Sequence, residues 1–350
     1  MPVPEFIQPA EWSKHRAVWM AWPSHAELWE DNLEPAQYEF VELCRAIASI
    51  DPVTGVARGE FLEILVPSQE QKALAQVRLA GLPVRFHELP FGDIWLRDTA
   101  PIFVFRTNPL SAQAELVAST FRFNGWGGKY ALPHDTEVAA RVAEASGKQR
   151  QNFDFVLEGG SIEVDGDGTG LTSEQCLLNP NRNPDLSRAE IEEVLKNSLG
   201  LHKVLWVKEG LINDHTDGHI DTIARFVAPG KVVCMKAMDP QDPNAAILEQ
   251  IANELAEQVD ASGRKLEVIR IPSPGVILDE EGELMPASYV NFYIGNASVV
   301  VPTYGSLYDG EAVASIAKLF PEKQVVGCSA FAILSGGGAF HCITQQEPAW

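Results

Sequence analysis

Cys342 is the side chain of this sequence best suited to act as a nucleophile. It follows closely after three consecutive glycines, residues 336–338. Glycines lack the Cβ atom that keeps a backbone away from a ligand, and they allow positive φ angles near the sulfur. A thiol that only fills a core needs neither property. Because a lone cysteine needs a histidine and an acidic partner for catalysis, Cys342 is a candidate whose partners must come from distant segments.

The other cysteines suggest no chemistry of their own. The chain has five cysteines, widely scattered and without a Cys-x-x-Cys pair, which argues against a disulfide framework and against a structural zinc site. Cys44 lies in an amphipathic helical pattern and Cys234 in an apolar run, so both are interpreted as small core residues.

The overall charge indicates the kind of partner. A net charge of −21 in 350 residues, 45% of them apolar, favours a globular protein and disfavours nucleic acid as a partner. A small cation is the natural electrostatic partner. Residues 1–5 lack the basic and apolar parts of a secretory signal, and no apolar stretch reaches the ~18 residues of a spanning helix. We therefore expect a cytoplasmic protein without membrane contacts, and a homo-oligomer is left open.

Helices and strands alternate along the chain. Capping residues and apolar positions at helical spacing predict helices, over 35–49, from Ser68 to Gly81, 135–146, from Ser187 to Gly200, after Asn244, and 311–320. Short apolar runs bounded by Gly, Pro or Asn predict strands, at 63–66, 84–89, 153–156, 176–178, 204–207, 268–271, 289–294, 299–301 and 324–326.

These elements repeat as strand, helix, strand and polar loop. The loops carry Asp98, Glu158, His219 with Asp221, and Cys342, at separations of 60, 61 and 123 residues between successive loops. A period of about 60 to 70 residues predicts five units, and such repeats usually form a ring or a solenoid. In a ring the equivalent loops converge on one axis. We therefore expect a single α/β domain over residues 1–350 in which these five side chains meet.

A thiol, a histidine and several carboxylates suit chemistry on a guanidinium group. Carboxylates form paired hydrogen bonds with this planar cation and fix its position. A bound cation would lower the pKa of the thiol, and histidine can donate and then accept a proton. The residues alone do not separate this reaction from thiol-protease chemistry, although an acid-rich pocket disfavours an oxyanion intermediate.

Six motifs follow one another along the chain: Trp95-x-Arg97-Asp98-Thr99, Phe123-Asn124-x-Trp126-Gly127-Gly128, Leu157-Glu158-Gly159-Gly160-Ser161, Asn181-Arg182-Asn183-Pro184, Gly218-His219-Ile220-Asp221 and Gly336-Gly337-Gly338-x-x-His341-Cys342-Ile343-Thr344-Gln345-Gln346. They resemble those of the agmatine deiminases and the Porphyromonas-type peptidylarginine deiminases of the guanidine-modifying superfamily, and the resemblance runs from about Trp12 to Pro348. The resemblance implies a five-unit pseudo-symmetric α/β propeller that uses neither a cofactor nor a metal.

The resemblance also implies residue roles. Cys342 would be the nucleophile that forms a covalent amidino-cysteine, and His219 the general acid and base. Asp98 and Asp221 would clamp the guanidinium. Glu158 would orient both the guanidinium and His219. Apart from the resemblance, Trp12, Trp19, Trp22 and Trp29 lie close together in sequence, and an aromatic cluster can shield the alkyl chain and distal amine of a diamine-like substrate. Contacts with the rest of the substrate are expected from Trp22, Trp95, Trp126, Asp217, Gly337 and Gly338.

The favoured reaction is hydrolysis of agmatine to N-carbamoylputrescine and ammonia. One alternative is deimination of arginine in a peptide, and another is a non-catalytic binding protein on the same fold. Free arginine is disfavoured because its carboxylate needs a dedicated arginine, and the motifs offer only Arg97 and Arg182.

Two further features qualify this interpretation. The chain has Ala339-Phe340 where agmatine deiminases usually have Asn-Ile, and Ala100 where they usually have Gly, so the first pair could alter the pocket. The loop with Asp214, His215, Asp217, His219 and Asp221 has the residue types of a metal site, a weaker interpretation than a guanidinium site.

Overall fold

The computed structural model describes residues 6–107 and 114–349. Residues 1–5, which bear on the expected absence of a secretory signal, lie outside the described part. Within it no helix combines the length and apolar character needed to cross a membrane.

The described strands form five separate sheets, with strand orders β1-β5-β6-β7, β10-β9-β8, β11-β12-β13, β14-β15-β16 and β17-β2-β3-β4. The strands are β1 Phe6–Ile7, β2 His15–Ala21, β3 Phe61–Val66, β4 Val84–Glu88, β5 Ile102–Thr107, β6 Ala114–Arg122, β7 Gln149–Val156, β8 Glu163–Val164, β9 Thr169–Ser173, β10 Lys203–Val207, β11 Ala224–Ala228, β12 Lys231–Lys236, β13 Glu267–Pro272, β14 Tyr293–Ile294, β15 Ser298–Thr303, β16 Gln324–Ser329 and β17 Gln345–Pro348.

The helices lie between the strands along the chain. They are α1 Ala26–Trp29, α2 Leu33–Ala48, α3 Gln69–Arg78, α4 Leu96–Thr99, α5 Gly125–Gly128, α6 Asp135–Ser146, α7 Glu174–Leu177, α8 Arg188–Leu199, α9 Ala245–Ala256, α10 Asp309–Ala317 and α11 Phe331–Ser335. Short 3-10 turns at Glu30–Asn32, Gly159–Ser161 and Ile220–Thr222 complete the set.

All five sheets share one construction. An antiparallel pair is followed by a helical crossover to a parallel strand, as in β5-β6-α6-β7 and β11-β12-α9-β13. In the sheet β17-β2-β3-β4, the antiparallel partner of β2 is the C-terminal β17, and β3 is its parallel partner. The final parallel strands, β4, β7, β10, β13 and β16, each lie at one edge of their sheet. The predicted α/β class is confirmed, and five sheets are consistent with the five-unit propeller.

Several boundaries follow from local chemistry. The side chain of Ser187 accepts a hydrogen bond from the backbone N–H of Glu190 while the Glu190 carboxylate accepts from that of Ser187, and Gly200 ends the helix at φ 75°. This is the predicted capping box. Ser68 likewise caps α3 by accepting from Gln71. The predicted strand at 176–178 is wrong, because Ser173 caps a helical turn over Glu174–Leu177. The strand predicted over 289–294 shortens to β14, residues 293–294.

A buried ionic cluster lies near the junction of the sheets. Arg225 is fully buried, and its Nη2 donates to Glu11 Oε2 at 2.8 Å while its Nε donates to Glu163 Oε2 at 2.9 Å. Its Nη1 also donates to the Phe292 carbonyl at 2.8 Å. Arg225 therefore joins the N-terminal segment to strands of two sheets.

We predict that Arg225→Ala lowers the free energy of unfolding by about 3–5 kcal/mol, because it removes the buried counter-charge that Glu11 and Glu163 share. Denaturant unfolding followed by tryptophan fluorescence measures the change. Arg264→Ala, which removes a partly exposed ion pair with Asp167 and Asp260, is the control and should cost much less. An equal loss in both variants would contradict the central role of Arg225.

Candidate active site

The final strands of the five sheets each lead into a loop that carries a polar side chain of one site. Asp98 follows β4, Glu158 follows β7, and His219 with Asp221 follows β10. Asn291 lies in the segment after β13, and Cys342 follows β16. The sequence prediction counted two steps between His219 and Cys342 but named no residue for the step between them. Asn291 occupies it, and the doubled spacing was the signal that could have located it.

Cys342 lies at a cavity of about 250 Å³ and is 6% exposed. The Asn291 side-chain N–H donates to its sulfur at 3.1 Å, and the thiol lies 3.5 Å from Asp221 Oδ2. Burial, Asp221 and Asp98 raise the pKa of Cys342 well above its usual range, against smaller opposing contributions from the Ala339 backbone and Asn291. Without a ligand, the thiol of Cys342 is therefore protonated, and a cation bound beside it would lower its pKa.

The side chains of His219, Asp98 and Asp221 all lie close to Gly160. A Cβ atom on this residue would lie 2.6 Å from His219 Nδ1, 2.9 Å from Asp98 Oδ1 and 3.1 Å from Asp221 Oδ2. The backbone N–H of Gly160 also donates to Asp98 Oδ1 at 2.9 Å. Only glycine allows this approach, which explains the Gly159-Gly160 pair after Glu158.

The two aspartates have different electrostatic surroundings. Burial, aided by Asp221 and Glu158, raises the pKa of Asp98. Burial also acts to raise the pKa of Asp221, but the hydrogen bond and charge of His341 outweigh it and the pKa is lowered. Asp221 thus has the His341 imidazole beside it at 2.7 Å, whereas the negative charge of Asp98 is compensated less closely, by His219 at 3.7 Å.

His219 is buried, with its Nδ1 3.7 Å from Asp98 Oδ2. Neither ring nitrogen has a hydrogen-bond partner of standard geometry among the described residues. Single atoms of His219, Glu158 and Cys176 lie within 4.8 Å of one another. Burial lowers the pKa of His219, but Asp98, Cys176 and Glu158 outweigh it and raise the pKa well above its usual range. An imidazolium here can donate a proton.

Sequence reasoning did not assign Cys176 to the site because it placed this residue in a strand. The helical turn α7 instead directs its buried thiol towards His219. The capping residue Ser173, three positions earlier, was the signal that could have predicted a turn of helix at this point.

Glu158 is fully buried and paired with an arginine. Its Oε1 accepts from Arg182 Nε at 2.7 Å, and Arg182 Nη1 donates to Asp217 Oδ2 at 2.8 Å. Asp217 also accepts from Lys129 at 2.5 Å and from Asn181 at 3.0 Å. The predicted substrate contact of Asp217 is not supported, because its carboxylate is engaged in this network and does not line the cavity.

Aromatic side chains form the walls of the cavity. Trp29 and Trp95 donate from Nε1 to the two oxygens of Asp93, at 2.9 and 2.7 Å. Trp126 donates to Asp98 Oδ2 at 2.8 Å. Trp95 and Trp126 therefore line the site, together with Gly337 and Gly338. Trp22 does not, because it is buried against Phe40 in the core.

The glycines before Cys342 accommodate these walls. Gly337 has φ 108°, a backbone angle that residues with a side chain rarely adopt. A Cβ on Gly336 would lie 2.8 Å from Trp29, and one on Gly338 2.7 Å from Trp95. Ala339 and Phe340 are buried and do not line the cavity. The departure at 339–340 thus does not place a new side chain in the pocket.

The loop 214–221 directs its side chains to different partners. Asp214 accepts from Thr216 and Thr222, and the His215 ring contacts the Tyr130 hydroxyl at 2.8 Å. His219 and Asp221 point instead to the Cys342 site. The side chains of this loop do not converge as a metal-binding set among the described residues.

A five-sheet α/β fold with a thiol, a histidine and carboxylates at its junction defines a hydrolase of the guanidine-modifying superfamily, acting on carbon–nitrogen bonds. The chain belongs to the Porphyromonas-type peptidyl-arginine deiminase family, whose sequence profile matches residues 7–348.

Similar proteins of known name support this membership. The agmatine deiminase of Stutzerimonas stutzeri is 40% identical over 98% of this chain and 96% of its own length. Among solved structures, the agmatine deiminase of Enterococcus faecalis has a TM-score of 0.88 at 34% identity, covering 98% of this chain and 96% of its own. A Campylobacter jejuni agmatine deiminase variant with substrate bound has a TM-score of 0.86 at 27% identity, with the same coverages.

We predict that Asn291→Ala moves the alkylation of Cys342 by iodoacetamide to higher pH. Asn291 lowers the thiol pKa, so its loss leaves less thiolate at any pH below that pKa, with alkylation about tenfold slower for one lost hydrogen bond. Mass spectrometry of the Cys342 peptide measures the rate separately from the half-buried Cys328. Asn183→Ala, which removes bonds to the Val156 backbone, is the control, and an equal effect there would contradict the assignment.

Proposed function

We propose that this protein is an agmatine deiminase, which converts agmatine and water into N-carbamoylputrescine and ammonia. The observation that carries the proposal is the charge of the cavity: two carboxylates, Asp93 and Asp98, and the thiol of Cys342 face it, and none of the described lining residues is Arg or Lys. A site of this kind binds a cation with an apolar stem. The names and coverage of the relatives support the same reaction.

The commitments of two arginines favour agmatine over free arginine. Arg182 is bound to Glu158 and Asp217, and Arg97 donates to the His341 carbonyl at 3.2 Å and to Gln346 at 2.7 Å. Neither is available for the α-carboxylate of free arginine. Arginine within a peptide carries no such carboxylate unless it is C-terminal, so it remains the second candidate, supported by the family description.

The reaction starts with binding of the guanidinium between Asp98 and Asp221. Its positive charge offsets the two carboxylates that raise the pKa of Cys342, so the thiol releases its proton to solvent. The thiolate then forms a bond to the guanidinium carbon. The imidazolium of His219 donates a proton to one amino group, the carbon–nitrogen bond breaks, and ammonia leaves an amidino-cysteine.

The second half restores the thiol. His219, now neutral, accepts a proton from water, and the oxygen forms a bond to the amidino carbon. The carbon–sulfur bond breaks with its electron pair returning to sulfur, the hydroxyl proton of the adduct moves to that sulfur as the carbonyl forms, and the neutral ureido product leaves. Glu158, held by Arg182, stabilises the protonated form of His219. The whole chain acts as one catalytic domain in this proposal, because loops from all five sheets contribute to the site.

The substrate is tested by incubating the pure protein with agmatine, free arginine and a peptide with internal arginine, each at the same concentration. We expect ammonia and ureido product mainly from agmatine. Cys342→Ala should release none while keeping the melting temperature, because the nucleophile is lost and the fold is not. Turnover of the peptide alone would assign the second candidate, and no turnover of any substrate would refute a deiminase.

Asp98→Asn should have two effects of opposite direction. We expect kcat/KM for agmatine to fall by about 10²-fold or more, because a charged hydrogen bond to the guanidinium is lost. In the free protein, alkylation of Cys342 should move to lower pH, because a carboxylate that raises the thiol pKa is removed. Asp93→Asn serves as a control that also lines the cavity, and unchanged alkylation in Asp98→Asn would argue against the electrostatic role.

A further inference from the structure

The imidazole of His341 lies between two buried carboxylates, away from the cavity. Its Nδ1 is 2.7 Å from Asp221 Oδ2, its Nε2 is 2.8 Å from Glu11 Oε2, and the residue is 1% exposed. A carboxylate oxygen accepts hydrogen bonds and does not donate them. Both contacts are therefore hydrogen bonds when both ring nitrogens carry a proton, which is the imidazolium form.

The outer carboxylate is firmly anchored. Glu11 Oε2 also accepts from Arg225 Nη2 at 2.8 Å and lies 3.5 Å from Arg97 Nη2, while Oε1 accepts from the Ile294 backbone at 2.8 Å. Burial acts to raise the pKa of Glu11, but Arg225 and His341 outweigh it and hold the pKa well below its usual range. Glu11 thus offers a fixed negative charge to His341.

The inner carboxylate is Asp221. Its Oδ2 faces both His341 and the Cys342 sulfur, whereas its Oδ1 is buried without a hydrogen-bond partner among the described residues. A buried acceptor without a partner costs free energy unless a ligand supplies the donor. A guanidinium N–H is such a donor.

We propose that His341 is a positioning residue: anchored by Glu11, it holds Asp221 as a carboxylate with Oδ1 directed to the substrate guanidinium. This inference rests on the proposed deiminase function and adds a residue that does not touch the substrate. The ionisable groups that act on Asp221 or His341 are Asp98, His219, Cys342, Arg97, Arg225, Glu11 and Glu163.

The backbone around His341 is fixed independently of its side chain. Its N–H donates to the Asn291 side-chain oxygen at 3.0 Å and lies 3.1 Å from the Asn291 carbonyl, and its own carbonyl accepts from Arg97. A change of the side chain therefore tests the imidazole while the position of Cys342 is kept.

The test is the pH profile of kcat/KM for agmatine in His341→Gln. We expect a fall of about 10- to 100-fold, the value of one charged hydrogen bond. The acid limb should also move to higher pH, because Asp221 loses the hydrogen bond and charge of His341 that lower its pKa and is then protonated at higher pH. A merely structural role would lower the melting temperature without this change of limb.

The control is His87→Gln, which removes another histidine–carboxylate contact, with Glu63 at 2.7 Å, on the edge of a different sheet. It should leave the profile unchanged. If His341→Gln does not fold, Glu11→Gln tests the same series of contacts, Glu11–His341–Asp221, from the Glu11 side. We then expect KM for agmatine to rise several-fold. An unchanged acid limb in folded His341→Gln, or an unchanged KM in Glu11→Gln where the former is unfolded, would overturn the proposal.

These outcomes are separate from the proposed function itself. Ammonia release from agmatine by the wild-type protein tests that function before any variant is compared. If the wild type turns agmatine over and His341→Gln matches His87→Gln, the positioning role alone fails. If the wild type is inactive on agmatine, the proposed function fails.

Discussion

Buried negative charge at the junction of the five sheets is the constraint on which the rest of the structure depends. Carboxylates cannot remain ionised in a protein interior without counter-charges or hydrogen bonds. Arg182 pairs with Glu158, Arg225 pairs with Glu11 and Glu163, and His341 lies beside Asp221. Asp98 receives neutral donors from Gly160 and Trp126 and a distant contact from His219. The compensation is therefore least complete where a cationic substrate would bind.

The same constraint explains the state of the nucleophile. A thiol surrounded by carboxylates in a buried cavity stays protonated, and neutral hydrogen bonds from the Ala339 backbone and Asn291 oppose this. A cation that enters the cavity changes the balance, so thiolate formation is coupled to binding. The backbone of Trp126 has φ 52° and ψ 51°, a conformation that is strained for a bulky residue. Its indole reaches Asp98 as a result.

Local patterns predicted the elements where the physical cause was local. The capping box at Ser187, the apolar period of α9 and the span of α6 depend on neighbouring residues and were predicted closely. Predictions failed where another segment decided the outcome. Cys176 lies in an apolar run that reads as a strand, but the Ser173 cap and contacts around His219 place it in a helical turn. Trp22 was expected at the ligand because tryptophans cluster near it in sequence, yet packing on Phe40 buries it.

The sequence by itself located the candidate nucleophile, carboxylates and histidine, because residue types and glycine-rich loops at regular spacing are properties of the chain. It also determined the class of fold through the repeated strand and helix pattern. The tertiary structure decided which polar groups compensate each other: the approach of His219 to Gly160, the position of Asn291 at the thiol, and the placement of His341 between Asp221 and Glu11. Those contacts join residues up to 330 positions apart, and a distance of that kind is set by packing, which no local pattern records.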